Sequence, residues 1–185
     1  MLAFCALRSV SKRGLERSVK VLIACLFRVL AWIPDTAAIT LSRWIATVLI
    51  CLRTEVARVS EINLGHCFPE LTDLERKQLL HGSLAHAALL IFEFAYLQHR
   101  KISKLLDQIT AVEGAELLQE AWQQGDGVLL FMPHFGCWEF LSIYLGDQYS
   151  VSALYAPPNV SALEDSMLKM RERQGATMHP TSGAG

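Results

Sequence analysis

The sequence lacks most of the patterns that would place a chain in a common functional class. Its net charge is −1, without the strong basic excess typical of nucleic-acid-binding proteins, so we expect no nucleic-acid partner. Its five cysteines are scattered and include no Cys-x-x-Cys pair, which argues against a disulfide framework and against a zinc site. A Gly-x-Ser-x-Gly elbow is also missing, so serine hydrolase chemistry has little support.

Carboxylate-rich clusters are missing as well. The long apolar stretch that contains His81 and His86 is predicted to be one helix, where two histidines five positions apart are poor joint ligands. We therefore expect no metal ion and no cofactor.

Uninterrupted apolar runs are short, although 52% of the residues are hydrophobic and the mean hydropathy is +0.29. Arg28 interrupts the run 21–33, and Arg43 interrupts the run 36–52. Neither run supplies the about 20 apolar residues that a spanning helix needs. Arg28 also argues against a cleavable signal peptide.

A basic leader precedes these runs, and Glu16 is its single acid. Its basic residues are Arg8, Lys12, Arg13, Arg17 and Lys20. We expect residues 1–52 to form membrane-associated helices, amphipathic or partly inserted, whose basic residues face anionic head groups. The alternative is a pair of ordinary helices that pack on the domain.

Helix and strand patterns alternate over the rest of the chain, which predicts an α/β sheet with crossover helices over residues 53–185. Thr72 and Glu75 form a capping box that starts a helix reaching about Leu97. Helical spacing assigns its core face to Leu80, Leu84, Ala87, Ile91 and Phe94. Further helices are predicted at 101–108, 115–124, 138–146 and 163–173, and strands at 109–112, 127–133, 151–155 and from 175.

A histidine and a glutamate follow the apolar run 127–133, five positions apart at His134 and Glu139. Pro133 disfavours a helix before it, and Gly136 permits a tight turn, so His134 should lie at a strand-to-helix corner. Glu139 would then lie in the first helical turn, with His134 folded back onto it. An imidazole held by a carboxylate can remove a proton from a hydroxyl. The pair alone is a weak pattern.

The flanking sequence strengthens this interpretation. Six segments occur in order: 63–70, 72–76, Glu113-Gly114, His134-x4-Glu139, 155–159 and 171–176. Together they resemble the bacterial lipid A biosynthesis acyltransferases, the lauroyl- and myristoyltransferase group, whose wider relatives include phosphatidylinositol mannoside acyltransferases. The resemblance that they carry runs from about residue 30 to the end of the sequence.

The resemblance implies an acyltransferase with His134 as general base and Glu139 as its partner. Such enzymes move an acyl chain from acyl carrier protein to a hydroxyl of a glycolipid at the cytoplasmic side of the inner membrane. Backbone amides near Gly136 are candidate donors to the oxyanion. Asn159, Arg171 and Arg173 are candidates for binding the acceptor's phosphates. For the two arginines, a solvated helix face is the commoner explanation.

Two features depart from the family. Ala156 stands where the family commonly has an arginine suited to phosphate or developing negative charge. Family members are also considerably longer, so we expect this chain to cover only the N-terminal part of the domain.

Two alternatives stay open. Cys137 could act as an acyl-accepting nucleophile with His134 as its base. The second alternative is a truncated, membrane-associated fragment that binds lipid without turnover.

Overall fold

The computed structural model describes residues 18–158 and 161–181. Residues 18–30 are helical and are called α1. Seven further helices follow in chain order: α2 Asp35–Cys51, α3 Glu55–Cys67, α4 Asp73–His99, α5 Ile102–Leu106, α6 Ala115–Gln123, α7 Trp138–Gln148 and α8 Ser161–Arg171. A 3-10 helix, Glu172–Gln174, continues α8. The two strands are β1 Ser152–Tyr155 and β2 Thr177–Pro180, so most described residues are helical.

Residues 24–99 form one compact unit. Its core joins α2, α3 and α4, mainly through small residues that allow close helix packing. The buried members are Ala46, Ala57, Leu80, Leu84 and Ala85, with Ile50 and Leu64 packed against them. Phe27 of α1 lies edge-on to Phe94 of α4, with 5.4 Å between ring centroids. The aromatic pair fixes α1 against the end of α4.

The core face of α4 differs from its prediction. Leu80 and Leu84 are buried as expected, but Ile91 is 50% exposed. The buried side chains continue instead through Ala88, Phe92 and Ala95. Leu80, Leu84, Ala88 and Phe92 follow an i, i+4 ridge, and Ala95 comes three residues later, whereas the predicted face left this ridge after Leu84, at Ala87.

The capping box at the start of α4 is confirmed. The Glu75 carboxylate accepts hydrogen bonds from the backbone N–H of Thr72 at 2.8 Å and from its Oγ1 at 2.7 Å. Thr72 Oγ1 in turn accepts from the Glu75 N–H at 3.3 Å. The side-chain hydrogen bond, and then the backbone one, hold the pKa of Glu75 below its usual value.

We expect Thr72→Ala to raise the pKa of Glu75 part of the way to its ordinary value, because the backbone N–H of residue 72 still donates. A lowered carboxyl pKa stabilises the fold above the ordinary pKa, and this stabilisation is lost as pH falls through the folded-state pKa. NMR titration of the Glu75 side chain measures the change. A Thr72→Ser variant is the control and should keep the low pKa; a Thr72→Ala chain that also kept it would contradict this origin.

The described residues of 1–23 and 100–185 form the second compact unit. β1 and β2 pair in parallel, with Ser152 opposite Thr177 and Tyr155 opposite Pro180, and α8 crosses between them. Parallel strands require such a crossover, so the predicted β–α–β pattern over 151–180 is confirmed. The buried side chains of this unit are Leu105, Glu139, Ile143, Leu145, Tyr155, Met170 and Ala176.

Two predicted strands are absent from the described residues. Residues 109–112 and 127–133 have no strand assignment, and the sheet that the structure describes has two strands. The prediction of a buried strand at 127–133 was therefore wrong here: Leu129 is 85% exposed and Phe131 is 93% exposed. A buried parallel strand needs a paired neighbour and cover on both faces, and no described strand pairs with this segment.

Membrane association stays a prediction. By length and composition, α4 could cross a membrane, and so could the α2–α3 pair, which is bent by 87° at its break. Buried core helices of soluble proteins satisfy the same criterion. Of the basic leader, Arg8, Lys12, Arg13 and Arg17 lie outside the described residues, whereas Lys20 forms an exposed ion pair with Asp165 at 2.6 Å. The predicted division at residue 52 likewise stays a prediction.

Candidate functional site

His134 lies at a tight corner that leads into α7. The N–H of Phe135 donates to the carbonyl oxygen of Pro133 at 2.9 Å, which makes His134 the central residue of a three-residue turn. Gly136 follows with φ of 57°, in the left-handed region that favours glycine. The predicted turn before α7 is therefore present, and it leaves the His134 side chain exposed.

Glu139 lies in the first turn of α7, as predicted, and is buried with only 7% of its surface exposed. Its partner is Arg171, at the end of α8. Arg171 Nε lies 3.1 Å from Glu139 Oε1 and 3.0 Å from Oε2, and Nη2 also donates to Oε1. This two-pronged geometry is the strong form of a carboxylate–guanidinium pair. Both side chains are 9% exposed.

The predicted contact between His134 and Glu139 is not formed. Among the described residues, no hydrogen bond joins them, and Arg171 engages both carboxylate oxygens instead. The sequence interpretation counted only the nearest titratable neighbour of Glu139. A buried carboxylate needs a cation or several hydrogen-bond donors. If Glu139 is buried, this requirement predicts a charged partner from elsewhere in the chain.

Trp138 contacts both His134 and Arg171. Its ring is 5.0 Å from the His134 ring, edge to face at 66°, and the Arg171 guanidinium carbon lies 5.1 Å from the Trp138 ring centroid. The tryptophan thus packs against the imidazole and also makes a cation–π contact with the guanidinium. The sequence interpretation had considered Trp138 only as an acyl-chain contact or a core residue, and missed this positioning role.

Tyr155 holds the helix that carries Arg171. Its hydroxyl, at the end of β1, donates to Glu164 Oε1 on α8 at 2.8 Å. This hydrogen bond, followed by burial and the negative charge of Glu164, raises the pKa of Tyr155. The contact ties α8 to the sheet and so helps to fix Arg171 beneath the corner.

The three predicted phosphate-binding residues have different surroundings. Arg171 is engaged with Glu139 rather than on a solvated face. Arg173 donates from Nη2 to the backbone carbonyl of Arg100. Asn159 lies outside the described residues, and the neighbouring Ala156 is exposed at the end of β1. Phosphate binding by the three stays a prediction.

The surface beside His134 is strongly apolar. The exposed side chains close to it in sequence are Leu129, Leu130, Phe131, Met132 and Phe135. Within 18–158 and 161–181, no group of three or more His, Cys, Asp and Glu side chains could hold a metal ion. The arrangement brings together an exposed imidazole, the start of a helix and an apolar approach, which suits attack on a carbonyl attached to an alkyl chain.

Comparison with known proteins places the chain in a family. The profile of the bacterial lipid A biosynthesis acyltransferases matches residues 8–184. The chain belongs to this family. A lipid A biosynthesis acyltransferase from Haemophilus influenzae is 26% identical over 121 residues, which cover 65% of this chain and 38% of the relative. The chain therefore spans well under two thirds of that relative's length, and the predicted resemblance is confirmed.

Proposed function

We propose that the protein transfers a fatty acyl chain from acyl carrier protein to a hydroxyl of a lipid A precursor or a similar glycolipid, on the cytoplasmic side of the bacterial inner membrane. The observation that carries the proposal is the family match over 8–184, which includes the exposed His134 at its corner. Membership of the family supports a transferase that needs an acyl donor and a lipid acceptor.

In the proposed reaction, His134 removes the proton of the acceptor hydroxyl as the oxygen attacks the thioester carbonyl. Backbone amides near Gly136, at the start of α7, stabilise the oxyanion, where the helix dipole also favours negative charge. The carbon–sulfur bond then breaks, and the protonated imidazole returns its proton to the leaving thiolate. The products are the ester and the free thiol of the carrier.

Glu139 acts in this proposal through position. Its pairing with Arg171 anchors the first turn of α7, and Trp138 in that turn packs on the His134 ring. A direct hydrogen bond from His134 to Glu139 is not part of this proposal, since Glu139 pairs with Arg171. The apolar run 129–132 supplies an approach for the acyl chain.

The first experiment compares chains of different length. Acyl transfer from labelled acyl carrier protein to a lipid A precursor is measured in membranes for this chain, for the same chain extended by any downstream coding sequence, and for the His134→Ala form of each. Activity that disappears with His134 supports the proposal. Activity in the extended form alone means that the reaction needs residues beyond these 185.

A non-catalytic, lipid-binding protein is the second candidate. Ala156 favours it, because the resembling enzymes commonly place an arginine there that could meet a phosphate. Absence of turnover at every length, with binding to the glycolipid retained, would select this candidate.

The Cys137 alternative has a direct test. Cys137 is half-buried just before α7. We expect Cys137→Ala to keep the transfer rate within about twofold, because no acyl-enzyme is needed when the hydroxyl attacks directly. The exposed Cys67→Ala variant is the matched control. A loss of several orders of magnitude in Cys137→Ala alone, with labelled acyl group trapped on the wild-type thiol, would establish the cysteine mechanism instead.

A further inference from the structure

A cavity of about 740 Å³ opens between α2 and α4, within the unit formed by residues 24–99. This volume is typical of a site for a small organic ligand and much larger than a single ion needs. The cavity lies apart in sequence from the His134 corner. Its lining residues are Ile39, Ser42, Arg43, Lys77, Gln78, His81, Gly82, Ala85, His86 and Leu89.

The charge of the lining has one sign. Arg43 of α2 and Lys77 of α4 contribute cations, and two imidazoles join them from α4. His81 is held in place, since its Nε2 lies 3.0 Å from Thr47 Oγ1 of α2. No acidic side chain is among the residues that line the cavity. An arginine and a lysine facing one space are typical partners of a phosphate group.

Polarity changes along the cavity. Lys77, His81, Ala85 and Leu89 follow one another at intervals of four on α4, so they form one stripe. Each step advances about 6 Å along the helix, and Lys77 and Leu89 are therefore roughly 18 Å apart. The Lys77 end of this stripe is cationic and the Leu89 end is apolar. On α2, Ile39 also contributes a 42% exposed apolar surface to the lining.

Gly82 lies beside this stripe and leaves room in the cavity. A Cβ atom built on Gly82 would meet nothing within 4 Å, so the space beside it is open. Glycine in a helix interior costs stability relative to alanine. At this position the missing side chain widens the groove.

We propose that this groove binds an anionic phospholipid, with the phosphate between Arg43 and Lys77 and the first part of an acyl chain along Ala85 and Leu89. Charge complementarity selects the phosphate, and the apolar end selects a lipid over free phosphate. A zwitterionic lipid carries a cation of its own, which the positive charges of Arg43 and Lys77 would repel. The groove lies within the unit 24–99, and the proposal gives a role to Arg43, which interrupts the apolar run of α2.

The test uses the full chain and monomeric dihexanoyl phosphatidic acid below its critical micelle concentration, with binding followed by calorimetry. A monomeric lipid removes the general attraction of a charged membrane surface. Dihexanoyl phosphatidylcholine and inorganic phosphate are the two comparison ligands. Three variants are compared with wild type: Arg43→Gln with Lys77→Gln, Gly82→Leu, and the control Arg58→Gln with Lys101→Gln, which removes the same charge from exposed sites outside the groove.

We expect saturable binding of the phosphatidic acid, weakened about tenfold or more by the Arg43/Lys77 pair and by Gly82→Leu, but by less than about twofold in the control. Gly82→Leu distinguishes binding in the groove from nonspecific attraction to positive charge, because it fills the space without altering any charge. Circular dichroism confirms that each variant is folded. Normal binding by folded Gly82→Leu, equal loss in the control, or tight binding of inorganic phosphate alone would each overturn the proposal.

Discussion

Replacing His134 by alanine is expected to lower the rate of acyl transfer by about 10²- to 10⁴-fold, the usual contribution of a positioned general base. His134 is exposed at its corner and supported by the edge of Trp138 rather than buried in the core. The substitution should therefore lower the rate of acyl transfer and change the free energy of unfolding only slightly. Initial rates with saturating acyl carrier protein measure the effect, and thermal unfolding shows whether the fold is retained.

The matched control is His66→Ala, because His66 is also exposed but lies on α3. It should keep the wild-type rate. A His134→Ala enzyme with a rate within about twofold of wild type would show that another group takes the proton. A rate loss accompanied by unfolding in His134→Ala would mean that the imidazole acts through structure.

Replacing Arg171 by alanine is expected to lower the free energy of unfolding by about 3–5 kcal/mol, the cost of leaving a buried charge without its partner. Glu139 is 7% exposed and receives at least three hydrogen bonds from this one side chain. Trp138 would also lose the guanidinium from its face. Urea unfolding followed by tryptophan fluorescence measures the loss.

Two further variants separate the possible causes. Lys169→Ala removes an exposed cation from the same helix and should change stability by less than about 0.5 kcal/mol. Glu139→Leu combined with Arg171→Leu removes both charges and should recover much of the stability lost in Arg171→Ala. A loss under about 1 kcal/mol for Arg171→Ala would show that water reaches Glu139 and that the ion pair is not structurally important.

The local features of the fold could be predicted from sequence because their causes are local. The capping box of Thr72 and Glu75, the glycine turn at Gly136 and the strand that ends at Tyr155 each depend on a few adjacent residues. The predicted boundaries of α4, α6 and α7 agree with the structure to within a few residues. Apart from the C-terminal end of α4, each boundary has a capping residue, a glycine or a proline nearby.

The site could be predicted only in part because its decisive contact is not local. His134 and Glu139 were identified from their spacing, but Glu139 pairs with a residue 32 positions away. Nothing in the sequence near Glu139 names Arg171 as its partner. The strand predicted at 127–133 failed for a related reason, since its apolar pattern is real while strand formation depends on a neighbour that no local pattern supplies.

The pairing of Glu139 with Arg171 also sets an order of assembly. During synthesis the segment that carries Glu139 emerges before α8. The Glu139 carboxylate therefore has no cationic partner until Arg171 has been synthesised. The corner can reach its final arrangement only after β1 and the crossover helix have followed. A break in the chain between residues 139 and 171 that separated the two pieces would leave Glu139 without its partner. We expect the first piece to remain partly unfolded and to be degraded by cellular proteases.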